Sequence, residues 1–131
     1  MTDISKRGRT NKRKGSNAER YYAKFFRENG YPHCKTAREG SKLHDNCGID
    51  LIFIPYNIQI KAGKQKSLNV TNELKNISSK VKENFPQDSP ELTRPNILIH
   101  KKEVGQGIKR TEFDEIVSMT FADFVKLIKK D

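Results

Sequence analysis

The chain has 131 residues and carries 26 lysines and arginines against 16 acidic residues, a formal charge of +10, with 34% hydrophobic residues. That length suits one compact domain with a true core, and the charge favours a polyanionic partner such as nucleic acid. No apolar run can cross a bilayer and no apolar signal core follows Met1, so the expectation is a soluble protein, not secreted and without a membrane partner, working in the cytoplasm.

Six basic residues, Lys6, Arg7, Arg9, Lys12, Arg13 and Lys14, crowd the first 14 positions beside only Asp3, so residues 1–14 read as a flexible basic arm preceding a single domain over 15–131. The domain stays basic without the arm, with 20 basic and 15 acidic residues. Ser16 and Glu19 have capping-box spacing, which predicts a helix from Ser16 with Ala18, Tyr22, Phe25, Phe26 and Asn29 along one side, stopped by Gly30. Glu19 sits at the margin of that stripe, where it either caps the helix or also looks into a site. Tyr21, Tyr22, Phe25 and Phe26 cluster at helical spacing, which favours helix packing or a dimer face over base stacking.

Residues 31–37 read as a first strand and 38–42 as a polar loop. Strands at about 50–54 and 57–62, turned through Pro55 and Tyr56, predict an antiparallel hairpin with Ile52 opposite Gln59 and Asp50 opposite Lys61. Asp50, Gln59 and Lys61 then share one face, an acid, an amide and a lysine at the polar end of an apolar hairpin, which is a candidate metal and phosphate site. A helix over 71–85 follows from Leu74, Ile77, Val81 and Phe85. Three prolines break 86–95, strands are expected at 96–100 and 115–119, and Thr120 and Asp123 are positioned to cap a last helix with Phe121, Phe124, Val125 and Ile128 inward. The resulting order, α-β-β-β-α-β-β-α, predicts an α/β fold with a small mixed central sheet flanked by helices.

Cys34 and Cys47 make no disulfide framework, and His33, Cys34, His44 and Cys47 lack the paired spacing of a zinc site. Asp45 and Glu39 read either as supplementary metal carboxylates or as turn residues, and His100 as a strand-end residue. A general-base role for His44 is the weaker reading.

The stretches Lys14-Gly15-Ser16-Asn17-Ala18-Glu19-Arg20, Arg38-Glu39-Gly40-Ser41, Gly48-Ile49-Asp50 and Gln59-Ile60-Lys61 resemble the PD-(D/E)XK nuclease superfamily, and within it the small archaeal and phage Holliday junction resolvases. The resemblance implies a restriction-endonuclease-like core and a homodimeric, metal-dependent enzyme that hydrolyses phosphodiester bonds in four-way DNA junctions, in a host cytoplasm if phage-encoded. It implies catalytic roles for Glu19, Asp50, Gln59, Lys61 and Ser41. Glu19, Asp50, the Gln59 side-chain oxygen and the Ile60 carbonyl would hold Mg²⁺, with Mn²⁺ as a substitute, because these ions take hard oxygen ligands. Lys61 would orient the attacking water or stabilise phosphate charge, and Ser41 and Arg38 would contact the scissile strand. The DNA-binding set comprises the six arm residues with Arg20, Arg38, Lys42, Lys64 and Lys66.

Gln59 departs from the pattern, which has Glu there. An amide oxygen can ligate a metal but brings no negative charge. Two readings follow, a weaker but active metal site or a decayed site that binds branched DNA without cutting. Retention of Glu19, Asp50 and Lys61 favours activity. The alternatives are a nonenzymatic basic DNA- or RNA-binding protein and a nuclease acting on other DNA substrates.

Overall fold

The computed structural model describes the backbone of residues 2–63 and 68–129, with side chains from residue 15 onward. Helix α1 runs from Thr2–Glu28. The helix therefore does not begin at Ser16: Ser16 and Glu19 lie inside a continuous helix and cap nothing, and the backbone of residues 2–14 extends it where a separate arm is expected. No proline interrupts 2–28, and lysine and arginine are good helix formers. The arm's basic side chains, and Lys64 and Lys66, lie outside the described residues.

Strand β1 is only Lys35–Thr36 and β2 only Leu51–Ile52, and they pair antiparallel with Lys35 opposite Ile52. Between them the expected polar loop is two short helices, α2 (Ala37–Gly40) and α3 (Lys42–Asn46), the second capped by the Ser41 hydroxyl accepting from the His44 amide. Gly40 permits close packing there, since a Cβ would lie 2.5 Å from both Ile52 Cδ1 and Lys35 Cε. The regular 50–54/57–62 hairpin is not formed. Strand β2 pairs with β1 instead, and Phe53 takes a left-handed φ of 61°, which breaks the extended run.

Strand β3 (Asn57–Gly63) runs parallel to β4 (Asn96–Lys102), with Gln59 opposite Leu98 and Lys61 opposite His100. Strand β5 (Glu115–Ser118) returns antiparallel on β4, completing a three-stranded mixed sheet. The crossover from β3 to β4 is α4 (Val70–Asn84), capped by the Asn69 side chain. Side chains alternate across the sheet. Ile58, Ile60, Ile97 and Ile99 pack with Ala18, Tyr22 and Ala23 of α1, whereas Ile77 and Val81 of α4 form a second cluster with Cys47 and Ile49. The fold is thus α/β, with α1 on one face of a small mixed sheet and α4 on the other.

Helix α5 (Phe121–Ile128) is capped by Thr120 as expected, but its predicted inner stripe is not inside. Phe121 and Ile128 are 79% and 62% exposed, and the buried residue is Asp123, whose Oδ2 accepts the Asn96 amide at 3.0 Å. A carboxylate therefore docks α5 on the first residue of β4, and the apolar face turns out. Asp123→Ala should lose about 1–3 kcal/mol of stability by leaving that amide unpaired, with Asp123→Asn nearer wild type. Equal denaturant midpoints for D123A and wild type would refute the docking role.

Candidate active site

Glu19 is placed by the α1 surface that packs on β3, and is 5% exposed. A carboxylate so enclosed needs a partner. Arg38 of α2 provides it in a two-point contact, Nε to Oε1 at 2.9 Å and Nη2 to Oε2 at 3.2 Å, and this pairing holds the guanidinium further into its protonated form.

Asp50 meets β3 at Ile58 and Ile60 and not in a ladder opposite Lys61. Its amide donates to the Ile58 carbonyl at 2.7 Å, its carbonyl accepts from Ala37 at 2.8 Å, and its side-chain Oδ2 accepts the Ile60 amide at 2.7 Å. In a strand, a residue's N–H and C=O lie on the same edge, so the Ile60 carbonyl also lies on the side from which Asp50 approaches. Burial pushes the Asp50 carboxyl up to about 7; the nearby Glu19 and Asp45 add to the rise, while the Ile60 hydrogen bond and Lys61 oppose it.

Gln59 and Lys61 share the α4 face of β3. Gln59 sits close to Gly48, a residue with φ of 80°, where an added Cβ would lie 3.0 Å from Nε2. Its Oε1 is buried with no hydrogen-bond partner. Lys61 Nζ lies 3.8 Å from Glu73 Oε2 of α4. His100, directly across the register from Lys61, presents a second buried atom, Nε2, with no partner. Two unsatisfied polar atoms on one sheet face carry a desolvation cost that an incoming ligand can relieve.

Ser41 is turned to α3. Its Oγ lies 2.6 Å from His44 Nδ1, and His44 Nε2 lies 3.0 Å from Glu91 Oε2, which Arg94 also approaches at 3.5 Å. Burial alone would raise the Glu91 carboxyl, but His44 and Arg94 hold it below the usual carboxylate range. Arg20 is exposed and donates to Asn17 at 2.6 Å, and Lys42 is exposed on α3.

The fold thus gathers Glu19, Arg38, Asp45, Asp50, Lys61 and the Ile60 amide, sets the Gln59 side chain against Gly48 on the α4 face of the same strand, and places Ser41 in an adjoining hydrogen-bond chain. Glu73 and Glu91 are residues that sequence reasoning missed, and His100, read as a strand-end residue, lies within β4. Glu73 had one legible signal, its place in the first turn of a predicted helix that must cross the β3 face; the other two depend on register and loop packing. Among the described residues, no three of His, Cys, Asp and Glu converge in a metal-binding group. The Asp50 carboxylate, bonded to the Ile60 amide, and the unpaired side-chain oxygen of the preceding residue, Gln59, are hard oxygen donors of the kind that Mg²⁺ and Mn²⁺ take. Comparison with family models, curated proteins and solved structures returns no match.

An acid whose folded pKa lies above its unfolded value of 3.8 holds a proton that the unfolded chain has released, so stability falls as pH rises from about 4 to about 7 and the penalty is then constant. Asp50→Asn removes that ionisation and retains an oxygen for the Ile60 amide. With chelator present, D50N should exceed wild type by roughly 1–3 kcal/mol at pH 8, and by much less near pH 4. Denaturant melts that show the same difference at both pH values would overturn the burial account.

Proposed function

We propose that the protein is a metal-dependent endonuclease of the PD-(D/E)XK type that cuts four-way DNA junctions as a homodimer. The observation that carries this reading is the Asp50 side chain bonded to the Ile60 amide, with Lys61 next on the strand and Glu19 close enough to raise the Asp50 carboxyl; the preceding residue, Gln59, holds a buried side-chain oxygen without a partner. Asp50, Gln59 Oε1 and the Ile60 carbonyl would hold Mg²⁺ or Mn²⁺, with Glu19 supporting the site. Such an ion, when bound, neutralises phosphate charge and makes water more acidic.

The chain's own groups do the rest. Lys61 places a cation where phosphate charge develops, steadied by Glu73. Arg38, partly exposed and already beside Glu19, is available to a phosphate oxygen at the mouth of the site. The net charge of +10 favours a polyanionic substrate. Exposed Tyr21 and Phe25 on α1 and Val117 on the edge strand β5, bordering one shallow cleft, support a second copy as partner.

One observation favours the nonenzymatic alternative: both Glu19 oxygens are taken by Arg38, and Gln59 adds no charge. Purified protein incubated with four-way and linear duplex DNA, with Mg²⁺, Mn²⁺ or chelator, separates the readings. The proposal expects metal-dependent nicking of the junction, abolished in Asp50→Asn and reduced on the order of 10²-fold at saturating DNA in Lys61→Ala. Junction binding without nicking in any metal would select the binding protein. Gln59→Glu restores the missing charge at nearly constant length and should lower the Mg²⁺ concentration for half-maximal nicking. An unchanged midpoint in folded, active Q59E would remove Gln59 from the ligand set.

A further inference from the structure

A second cavity of about 410 Å³ opens beside the site, with Ile52 and Ile54 buried in its wall, Ser41, His44 and Glu91 along one side and Phe53 at its rim. Phe53 is unusual on two counts. It is a bulky residue held at φ of 61°, and its side chain is 63% exposed, so the strained backbone is not compensated by burial. Strain of this kind concentrates where a side chain is displayed for a ligand. Lys35 Nζ stands 5.6 Å from the centre of the ring, which combines a stacking surface with a cation.

The cavity lining also has fixed polarity. His44 is engaged at both ring nitrogens, by Ser41 Oγ and Glu91 Oε2, and lies edge-on to Phe85 with ring centres 5.0 Å apart. It therefore holds the Ser41 hydroxyl and the Glu91 carboxylate in place. A flat heterocycle with an apolar face and polar edges matches this arrangement, the face for Phe53, the edges for Ser41 and Glu91, and an attached phosphate for Lys35. The same α2–α3 segment carries Arg38 and Asp45 towards Asp50, so cavity and candidate active site share a wall.

We infer that the Phe53 cavity receives an unstacked nucleobase of the bound DNA, stacked on the ring and hydrogen-bonded along its edge. This rests on the nuclease reading, and it assigns a recognition element for unpaired bases to a part of the chain outside the metal ligands. Enzymes and binding proteins that engage splayed bases gain affinity from aromatic stacking that is tolerant of sequence.

Phe53→Gly separates the ring from the fold, because glycine adopts positive φ without strain. Full-length wild type, F53G and Phe53→Leu would be titrated, with chelator present to prevent cutting, against a four-way junction, a duplex with one unpaired base, the same duplex with an abasic site at that position, and an intact duplex. F53G should melt no lower than wild type yet bind the unpaired-base duplex roughly 5- to 100-fold more weakly, with intact-duplex affinity unchanged and F53L intermediate. The abasic site should cost wild type a similar factor and F53G nothing further. Folded F53G or F53L binding the unpaired-base DNA as tightly as wild type, or indifference of wild type to the abasic site, would overturn the inference while leaving the nuclease reading intact. Absence of any preference of wild type for branched over intact DNA would sink both.

Discussion

Asp50 closes the edge of β3 with a side chain where a neighbouring strand would use a carbonyl. Oδ2 takes the Ile60 amide at 2.7 Å, while the Asp50 backbone is committed to Ile58 on one side and Ala37 on the other. Because the partner is a carboxylate and not a full strand, the ladder stops there and the Ile60 carbonyl is left on an edge that no long strand covers. The α2–α3 segment approaches through the same bond set, since Ala37 begins α2. Loss of the Asp50 contact would therefore disturb the sheet edge, the two short helices and the polar site together.

The arrangement carries an electrostatic cost that its neighbours partly offset. Burial and the nearby Glu19 and Asp45 disfavour the charged form of Asp50, while the Ile60 amide and Lys61 oppose that and Arg38 engages the Glu19 carboxylate. On the proposed reading, a buried carboxylate that destabilises the free chain would become favourable once a cation is bound beside it. The unpaired Gln59 oxygen and His100 nitrogen are smaller instances of the same tension.

Where the hydrophobic period was long and regular, the sequence was a sound guide. Leu74, Ile77 and Val81 are the buried face of α4, strands β4 and β5 fall where the apolar runs place them, and Thr120 caps α5. It misled where a local signal competed with tertiary context. Ser16 and Glu19 have capping spacing inside a helix that starts earlier, and the apolar stripe of α5 faces outward because Asp123 finds the Asn96 amide. The hairpin failed for a similar reason: apolar residues on both sides of a turn do not state which strand each will pair with, and Leu51–Ile52 pairs with Lys35–Thr36.

The residue types of the site, Glu19, Asp50, Gln59 and Lys61, and the shared strand face of Gln59 and Lys61 were determined by the sequence alone, because chemistry and alternation along a strand are local properties. So was the basic surface. Their partners were decided only in three dimensions. Arg38 on Glu19, Glu73 on Lys61, Glu91 on His44 and Asp50 on the Ile60 amide join residues brought together by the crossover through α4 and by the packing of α1 and α2 on the sheet edge. Charge state and exposed strain followed the same rule, since the raised Asp50 carboxyl comes chiefly from burial and the left-handed Phe53 sits where the chain leaves β2 to join β3. Desolvation and strand register are properties of packed neighbours, and no single segment carries them.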